Sequence, residues 1–397
     1  MPAPKEKDYQ GHYEPLKAPE HSRHNLASVH LDAIRGLAAL CVFSGHLRAL
    51  FLVDYRAVVQ KSAGVKIVYF VTGFGHESVM VFFVLSGFFI SSSVIRSIRA
   101  DRWRWALYAQ SRLTRLYAVL IPALLLGLLW DTLGVKLFGD VGVYHGLPEY
   151  KHVVGHVVPL LTAQIGFGNL LFLQGIRVPT FGSNGPLWSL SYEFWYYVLF
   201  PLCLLAVWPS TDLRSRILYG ILAMGILVFV GQTISLYFLV WMMGWVIGVL
   251  RPTRITRSKF FLAGTSLALA ATLAWSRVHS GEHVFSTDVL VGLTFSAFVY
   301  ALLSGKDGSV NTLYKATATF VSGFAYTLYL VHLPLLVFLN AKVIGTNGPW
   351  QPDLMHLLMV IALAGIGLLY TLFVWSFTES KTEVIRGTIS RLLRISA

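Results

Sequence analysis

Long apolar runs separated by short polar stretches make up the sequence from about residue 31 onward. About 20 apolar residues in an α-helix rise roughly 30 Å, the thickness of the hydrocarbon core of a bilayer. The pattern therefore predicts an all-α, polytopic transmembrane helical bundle of about ten spans. The predicted spans are residues 33–53, 72–95, 115–134, 187–208, 216–232, 234–250, 260–276, 286–304, 317–340 and 354–377.

The stretch between the third and fourth predicted spans is ambiguous. Residues 152–173 are apolar enough for a span, but they include Pro159 and Gln164, and Gly166 and Gly168 interrupt their end. A span here would invert the orientation of every later loop. We therefore predict a re-entrant or interfacial segment on the outer side of the membrane.

Basic residues lie between the predicted spans and mostly on one side of them. Residues 96–115, residues 251–259 and the C-terminal tail are rich in Arg and Lys, whereas the opposite loops carry scattered charges. By the positive-inside rule, we predict that these basic loops lie in the cytoplasm. With an even number of spans, both termini lie there too. The expected location is the inner (plasma) membrane of the cell. The formal net charge of +13 then reflects topology and contact with membrane lipids, and we expect no nucleic-acid partner.

The predicted organisation has three parts. Residues 1–30 are polar and predict a disordered cytoplasmic tail, residues 31–378 form the transmembrane domain, and residues 379–397 form a basic cytoplasmic tail. Cys41 and Cys203 lie within apolar runs, which argues against a disulfide. No Cys-x-x-Cys or His-Glu-x-x-His spacing occurs, and we predict no metal.

Polar residues inside the predicted spans are the candidates for chemistry. In the first span, Arg35 and His46 are eleven residues apart, which places them on one helix face about 16 Å apart. Polar side chains inside a span cost free energy and are typical of a buried site. The alternative is an interfacial Arg and a packed His.

Two later predicted spans also contain polar side chains. In the fourth, Ser189, Glu193 and Tyr196 share a helix face, and the carboxylate either orients an imidazole, handles a proton or is structural. In the ninth, Tyr329 is followed by His332, which is either functional or packed in the core.

Arg112 and Arg115 lie three residues apart at the predicted start of the third span, so their guanidinium groups share one face. Backbone N–H groups of a helix start also favour anions, and Arg binds phosphate through two parallel hydrogen bonds. Ordinary positive-inside anchoring is the alternative. In the second span, Ser86 and Gly87 allow close helix approach, and packing is the simpler explanation for them.

These motifs, in this order, resemble those of the acyltransferase 3 family of integral membrane O-acyltransferases. The matching phrases are Arg-x10-His at 35–46, Phe-Phe-Val-Leu-Ser-Gly at 82–87, Arg-Leu-Thr-Arg at 112–115, Trp-Ser-Leu-Ser-Tyr-Glu at 188–193 and Tyr-Leu-Val-His-Leu-Pro at 329–334. Glu379 departs from the pattern because no proline follows it closely, as one often does in the family.

The resemblance implies transfer of an acyl group, acetyl first, from cytoplasmic acyl-CoA to a hydroxyl of a cell-surface or exported carbohydrate or glycolipid. A small glycosylated natural product is the alternative acceptor, and polysaccharide synthesis machinery is a possible partner. The implied catalytic residues are His46, Glu193 and His332, those for acyl-CoA are Arg35, Arg112, Arg115 and Ser86, and those for the acceptor are Trp188, Ser189, Tyr196 and Tyr329.

A competing class is a proton-coupled membrane transporter or flippase, because intramembrane His and Glu also serve proton transport. The paired repeats common in transporters are not evident in the sequence. A scaffold without activity is a third class and predicts indifference to the loss of His46. Direct transfer and a covalent intermediate both remain open.

Overall fold

A computed structural model describes residues 26–278, 284–305 and 310–392. Within these ranges the chain is α-helical, and its β-structure is limited to two isolated bridges, so the predicted all-α class is confirmed. Most of the predicted N-terminal tail, residues 1–25, lies outside the described residues. Residues 26–30 belong to the first helix, which begins five residues earlier than the predicted domain boundary.

The helices occupy most of the predicted spans. They are α1 (Leu26–Phe51), α2 (Ala63–Val71), α3 (Gly75–Arg99), α4 (Trp105–Phe138), α5 (Ala163–Leu170), α6 (Trp188–Val207), α7 (Leu213–Val249), α8 (Lys259–Val278), α9 (Val284–Ser304), α10 (Thr312–Gly323), α11 (Ala325–Val343), α12 (Leu354–Phe377) and α13 (Thr382–Leu392). By length and composition, nine helical units in the described part of the chain could cross a membrane.

The longest helix, α7, reverses direction and so raises the nine possible crossings to ten. Gly231 has φ 81° and ψ 173°, a non-helical conformation that favours glycine. In a straight helix, residues 227 and 235 would lie about 12 Å apart. Instead, the Ser235 hydroxyl donates to the Leu227 carbonyl at 2.9 Å. The two halves match the predicted fifth and sixth spans.

Contacts with α6 confirm this reversal. The first half of α7 runs antiparallel to α6, since Arg216 donates to the Ala206 carbonyl near the end of α6. The second half runs parallel to α6. Tyr196 donates to the Ile234 carbonyl, and further along both helices Phe200 packs against Trp241. The chain therefore forms a hairpin at Gly231.

The third predicted span begins too late. The helix α4 starts at Trp105 rather than near residue 115, and its first turns pack against α6 through the Tyr108 hydroxyl and the Tyr197 carbonyl, 2.8 Å apart. The prediction that Arg112 and Arg115 lie at a helix N-terminus is therefore wrong, because they are two to three turns inside. Hydropathy marks the lipid-embedded part of a helix and not its first residue.

The ambiguous segment, residues 152–173, does not cross the bundle. It contains a 3₁₀ turn and the eight-residue helix α5, which would span only about 12 Å. The side chains of Val154 and Val157 are buried against α1 and α11. This segment is thus a packed connection between α4 and α6.

The C-terminal region is folded over most of its described length. Helix α13 lies against α4, and the Gln110 side chain donates to the Ser390 hydroxyl at 2.7 Å. Residues 393–397 of the predicted basic tail lie outside the described residues. Because α13 packs against the start of α4, which comes two crossings after the start of α1, both described ends of the chain lie at one end of the bundle.

Candidate active site

Two histidines from distant parts of the chain meet inside the bundle. His46 on α1 and His332 on α11 are 286 residues apart, and His46 Nδ1 lies 2.8 Å from His332 Nε2. The ring centroids are 5.1 Å apart, which is the nitrogen–nitrogen distance plus the distance from each ring centre to its own nitrogen. The two nitrogens therefore lie on the line between the ring centres, and the rings meet edge to edge. His332 has no exposed surface, whereas His46 is half-buried.

The hydrogen bonds determine the tautomers of the neutral pair. His332 Nδ1 lies 2.6 Å from the Leu328 carbonyl, which only accepts, so this nitrogen carries the proton. The Nε2 of His332 is then unprotonated and accepts from the Nδ1–H of His46. His46 is left with an unprotonated Nε2, which can accept a proton from another molecule.

Packing between α1 and α11 holds this pair in place. The ring of Phe43, one turn before His46, meets the His332 ring edge-on at a centroid distance of 5.7 Å. One turn after His46, the Leu50 carbonyl accepts from the buried Asn340 side chain at 2.7 Å. Contacts on both sides of the imidazoles therefore fix the relative position of the two helices.

Glu193 lies in a separate hydrogen-bond network. Its carboxylate accepts from the Tyr197 hydroxyl and, at 3.4 Å, from the Ser86 hydroxyl, which itself accepts from Trp241 Nε1 at 3.2 Å. These contacts join α3, α6 and α7. The sequence offered Glu193 as a group that could orient an imidazole, but in this structure His332 occupies that position beside His46.

The four predicted acceptor residues lie in two different environments. Ser189 and Tyr329 share a hydrogen bond of 2.7 Å between their hydroxyls, and Trp188, next to Ser189 in the sequence, is half-buried. Tyr196 has no exposed surface, and its hydroxyl donates to the Ile234 carbonyl at 2.6 Å. The geometry places Tyr196 in the packed interior between α6 and α7.

Charged groups gather nearer the start of α1. Arg35 is half-buried, and its Nη2 donates to Asp32 at 3.0 Å and to the Ser322 hydroxyl at 2.9 Å. Ser322 also donates to Asp32 at 3.1 Å. These contacts tie the start of α1 to the end of α10, where the ninth predicted span is broken at Phe324 into α10 and α11.

Arg115 is the least satisfied charge in this region. Its electrostatic neighbours are Tyr197, Glu379, Glu193 and Tyr326, which lie on three different segments, so its guanidinium faces the interior of the bundle and not the lipid. The side chain is nevertheless exposed, and it makes no hydrogen bond or ion pair among the described residues. This arrangement leaves its donors free for an anionic ligand.

Arg112, one turn before Arg115, is held differently. Its guanidinium lies over the Tyr108 ring, 5.6 Å from the centroid, and its buried Nε has no hydrogen-bond partner in the described part of the chain. The cation–π contact fixes the plane of the guanidinium while leaving donors unused.

Glu379 was not among the residues selected from sequence. Its carboxylate accepts from both the backbone N–H and the hydroxyl of Thr327, each at 2.9 Å, in the first turn of α11. Phe324 at the N-cap position offers no side-chain acceptor, so a residue beyond α12 caps this helix. The pairing spans 52 residues, and the only sequence signal was the family motif around Glu379.

Comparison with known proteins identifies the family of this chain. Residues 29–379 match the acyltransferase domain of the acyltransferase 3 family. The curated protein Acyltransferase MdmB of Streptomyces mycarofaciens is 27% identical over 173 residues, which cover 43% of this chain and only 38% of that protein. No solved structure matches the chain. Since the family match extends from α1 to the Glu379 cap, this chain belongs to the acyltransferase 3 family.

Proposed function

We propose that this enzyme transfers a short acyl group, acetyl first, from acyl-CoA to a hydroxyl of a cell-surface or exported carbohydrate, with His46 as general base. The observation that carries the proposal is the hydrogen-bond chain from His46 through His332 to the Leu328 carbonyl. This chain leaves one accessible basic nitrogen inside the bundle, which is what deprotonation of a hydroxyl requires.

The proposed step is direct transfer. The acceptor hydroxyl oxygen attacks the thioester carbonyl while its proton moves to His46 Nε2. The tetrahedral intermediate collapses with cleavage of the C–S bond, and the CoA sulfur leaves and takes up the proton. The products are an O-acyl ester and free CoA, so all atoms and charges balance.

His332 acts through His46 in this scheme. It holds the His46 ring in the tautomer whose Nε2 is free, and it accepts a hydrogen bond from the imidazolium that forms. An uncharged partner stabilises that imidazolium less than a carboxylate would. In return, it avoids placing a permanent charge beside the reacting atoms inside the membrane.

The acyl-CoA site is assigned to Arg35, Arg112 and Arg115. Guanidinium groups suit the phosphates of CoA, and Arg115 and Arg112 retain unused donors. Arg35 lies about 16 Å along α1 from His46, a separation that the long pantetheine arm can bridge. Ser86 supports this region indirectly, because it bonds to Glu193, an electrostatic neighbour of Arg115.

The acceptor site is assigned to Trp188, Ser189 and Tyr329, which combine an aromatic surface with hydroxyl groups. Tyr329 is one turn from His332, so a hydroxyl bound near it can reach the histidine pair. Tyr196 is left out, since it has no exposed surface. A small glycosylated natural product is the alternative acceptor, and surface-glycan mass spectrometry with and without the protein distinguishes the two.

The proposal places the arginine end of the bundle in the cytoplasm, where acyl-CoA is available. Cysteine labelling tests this placement in a chain whose Cys41 and Cys203 are replaced by alanine. Ile255→Cys and Val59→Cys are matched probes, because the two side chains are 73% and 80% exposed in loops at opposite ends. An impermeant reagent should label intact cells only at Val59→Cys, and the reverse result overturns the orientation.

The activity test compares His46→Ala with His356→Ala in membranes matched for protein amount. His356 is a second half-buried histidine, bonded to Asp353 at the start of α12, on a different helix from either member of the pair. With labelled acetyl-CoA and native surface glycan, His46→Ala should lose about 10²–10⁴-fold of transfer and His356→Ala should keep it. Near-normal transfer by His46→Ala refutes the mechanism, and glycan or lipid translocation without any acyl transfer favours the transporter class.

A further inference from the structure

Three side chains on the loop between α4 and α5 converge at the surface, away from the histidine pair. Asp140, His145 and His156 are all exposed, and their ligand atoms lie within 4.8 Å of one another. His156 Nε2 is 2.9 Å from one oxygen of Asp140, and His145 Nδ1 is 3.7 Å from the other. The carboxylate therefore lies between two imidazoles.

The backbone beneath this cluster is fixed. Tyr144 and Val157, the neighbours of the two histidines, are completely buried, and Val157 N–H donates to the Tyr144 carbonyl at 2.9 Å. Gly146 has φ +74°, and a Cβ on it would lie only 2.6 Å from the backbone nitrogen of His156. The two imidazoles thus project from adjacent, tightly packed segments of the loop, whose backbone needs little rearrangement when a ligand joins them.

We propose that Asp140, His145 and His156 form a zinc site. Two imidazole nitrogens and one carboxylate oxygen are a donor set that suits Zn²⁺, with water in the remaining position, whereas Ca²⁺ and Mg²⁺ prefer oxygen donors alone. The expectation of no metal rested on contiguous motifs. The spacing Asp-x4-His-x10-His follows no such motif, because a folded loop and not a helix or turn brings the donors together.

The proposed zinc would clip together the two ends of a loop that rests on the histidine-bearing helices. Val143, Tyr144, Val154 and Val157 from this loop share one packed cluster with Phe43 of α1, which touches the His332 ring. The role is structural, since the donors face the surface and none belongs to the histidine pair. The inference does not depend on the proposed acyl donor or acceptor.

The test is metal binding by the full-length protein, without a polyhistidine tag, after treatment with EDTA and reconstitution in lipid nanodiscs. Titration with zinc chloride should saturate at one equivalent per chain and raise Tm. Asp140→Asn, His145→Asn and His156→Asn should each weaken binding by more than the roughly 10–100-fold that loss of an outer partner costs, and should abolish the Tm shift. His152→Asn is the matched control, because His152 is exposed in the same loop outside the cluster.

Two results overturn the proposal. One is unchanged zinc stoichiometry and affinity in the three variants, which assigns the metal to other histidines. The other is a wild-type protein whose Tm does not respond to zinc, which leaves the cluster with Asp–His contacts only. If a variant fails to fold, Co²⁺ absorption of the wild-type protein decides, since a site of this kind gives visible ligand-field bands and an empty cluster gives none.

Discussion

The polar groups around His46 and those around Arg115 share one bundle but are arranged in opposite ways. At the histidine pair the contacts join uncharged groups, and each described ring nitrogen of His332 has a partner. Around Arg115, carboxylates and hydroxyls from three segments surround a guanidinium that makes no direct hydrogen bond within the described residues. One region joins uncharged groups and leaves a single ring nitrogen without a partner, and the other is charged and open.

This difference separates two requirements of acyl transfer. A base must be held in one tautomer, which demands a hydrogen bond from its other ring nitrogen and a rigid surrounding. An anionic donor must be bound and released, which demands charges that are not already neutralised by direct partners. Arg35, an electrostatic neighbour of Arg115, lies about 16 Å from His46 along α1, so the bundle keeps the charged groups apart from the base.

The largest expected effect tests whether the two histidines act as one unit. His46→Ala should lower transfer by about 10²–10⁴-fold, and adding His332→Ala to it should lower transfer no further, because His332 acts only through His46. Initial rates of the single and double variants, measured at equal protein amounts, complete the cycle. Losses that multiply would show two independent roles.

His332→Ala alone should have a smaller effect than His46→Ala. It leaves the Nδ1–H of His46 without an acceptor, a loss of about 1–3 kcal/mol, or roughly 5–150-fold in kcat. The KM for acetyl-CoA should stay unchanged, because the donor site lies elsewhere. A change confined to KM would place His332 in binding and not in orientation of the base.

The next effect concerns the open region. Arg115→Ala should weaken binding of acetyl-CoA by about 1.5–3 kcal/mol, which raises its KM roughly 10–150-fold. The dependence of the rate on acceptor concentration should change little. Arg112→Ala should act in the same direction but less, because part of the role of Arg112 is packing on Tyr108. Rates over a range of acetyl-CoA concentrations provide the measurement.

Arg115→Lys sharpens this result. It keeps the charge but removes the two parallel donors, so its KM should lie between those of the wild type and Arg115→Ala. If Arg115→Ala, Arg115→Lys and Arg112→Ala all show the wild-type dependence of rate on acetyl-CoA concentration, these arginines serve only as membrane anchors. That result would refute the assignment of the donor site.

The smallest effect concerns the Glu379 cap, which connects the two regions. Glu379→Ala removes the acceptor at the start of α11 and should lower the free energy of unfolding by about 0.5–2 kcal/mol, seen as a lower Tm. Glu383→Ala is the control, because that carboxylate is exposed and, among the described residues, pairs only with Arg386 on α13; it should change stability by about 0.5 kcal/mol or less. Equal Tm values for the two variants would contradict the capping role.

Much of the fold could be predicted because bilayer thickness imposes a length on every crossing. The hydropathy pattern predicted a break between spans at residues 232–234, within a few residues of the reversal at Gly231. The break was predicted even though α7 is helical on both sides of Gly231 without an intervening loop. It placed the start of α4 wrongly, because the first turns of that helix are amphipathic and packed on α6 and carry no hydropathy signal.

The candidate site was predictable as a set of residue types but not as a set of contacts. Helical spacing put Arg35 and His46 on one face, and both now have partners on α10 and α11. No local pattern could pair His46 with His332 instead of Glu193, because the choice depends on how α1, α6 and α11 pack. Glu379 was overlooked for the same reason, since its partner Thr327 is hidden until α11 and the segment after α12 meet.

The separation between α1 and its partners also sets a schedule for biosynthesis. Arg35 and His46 enter the bilayer first, but Ser322 and His332 are encoded 287 and 286 residues later. At about 5–20 residues per second, a ribosome needs roughly 15–60 s to supply them. During that interval the first helix carries an arginine and a histidine that no later helix yet satisfies. Nascent chains that stop before α10 should therefore keep α1 at the insertion machinery or expose it to membrane proteases.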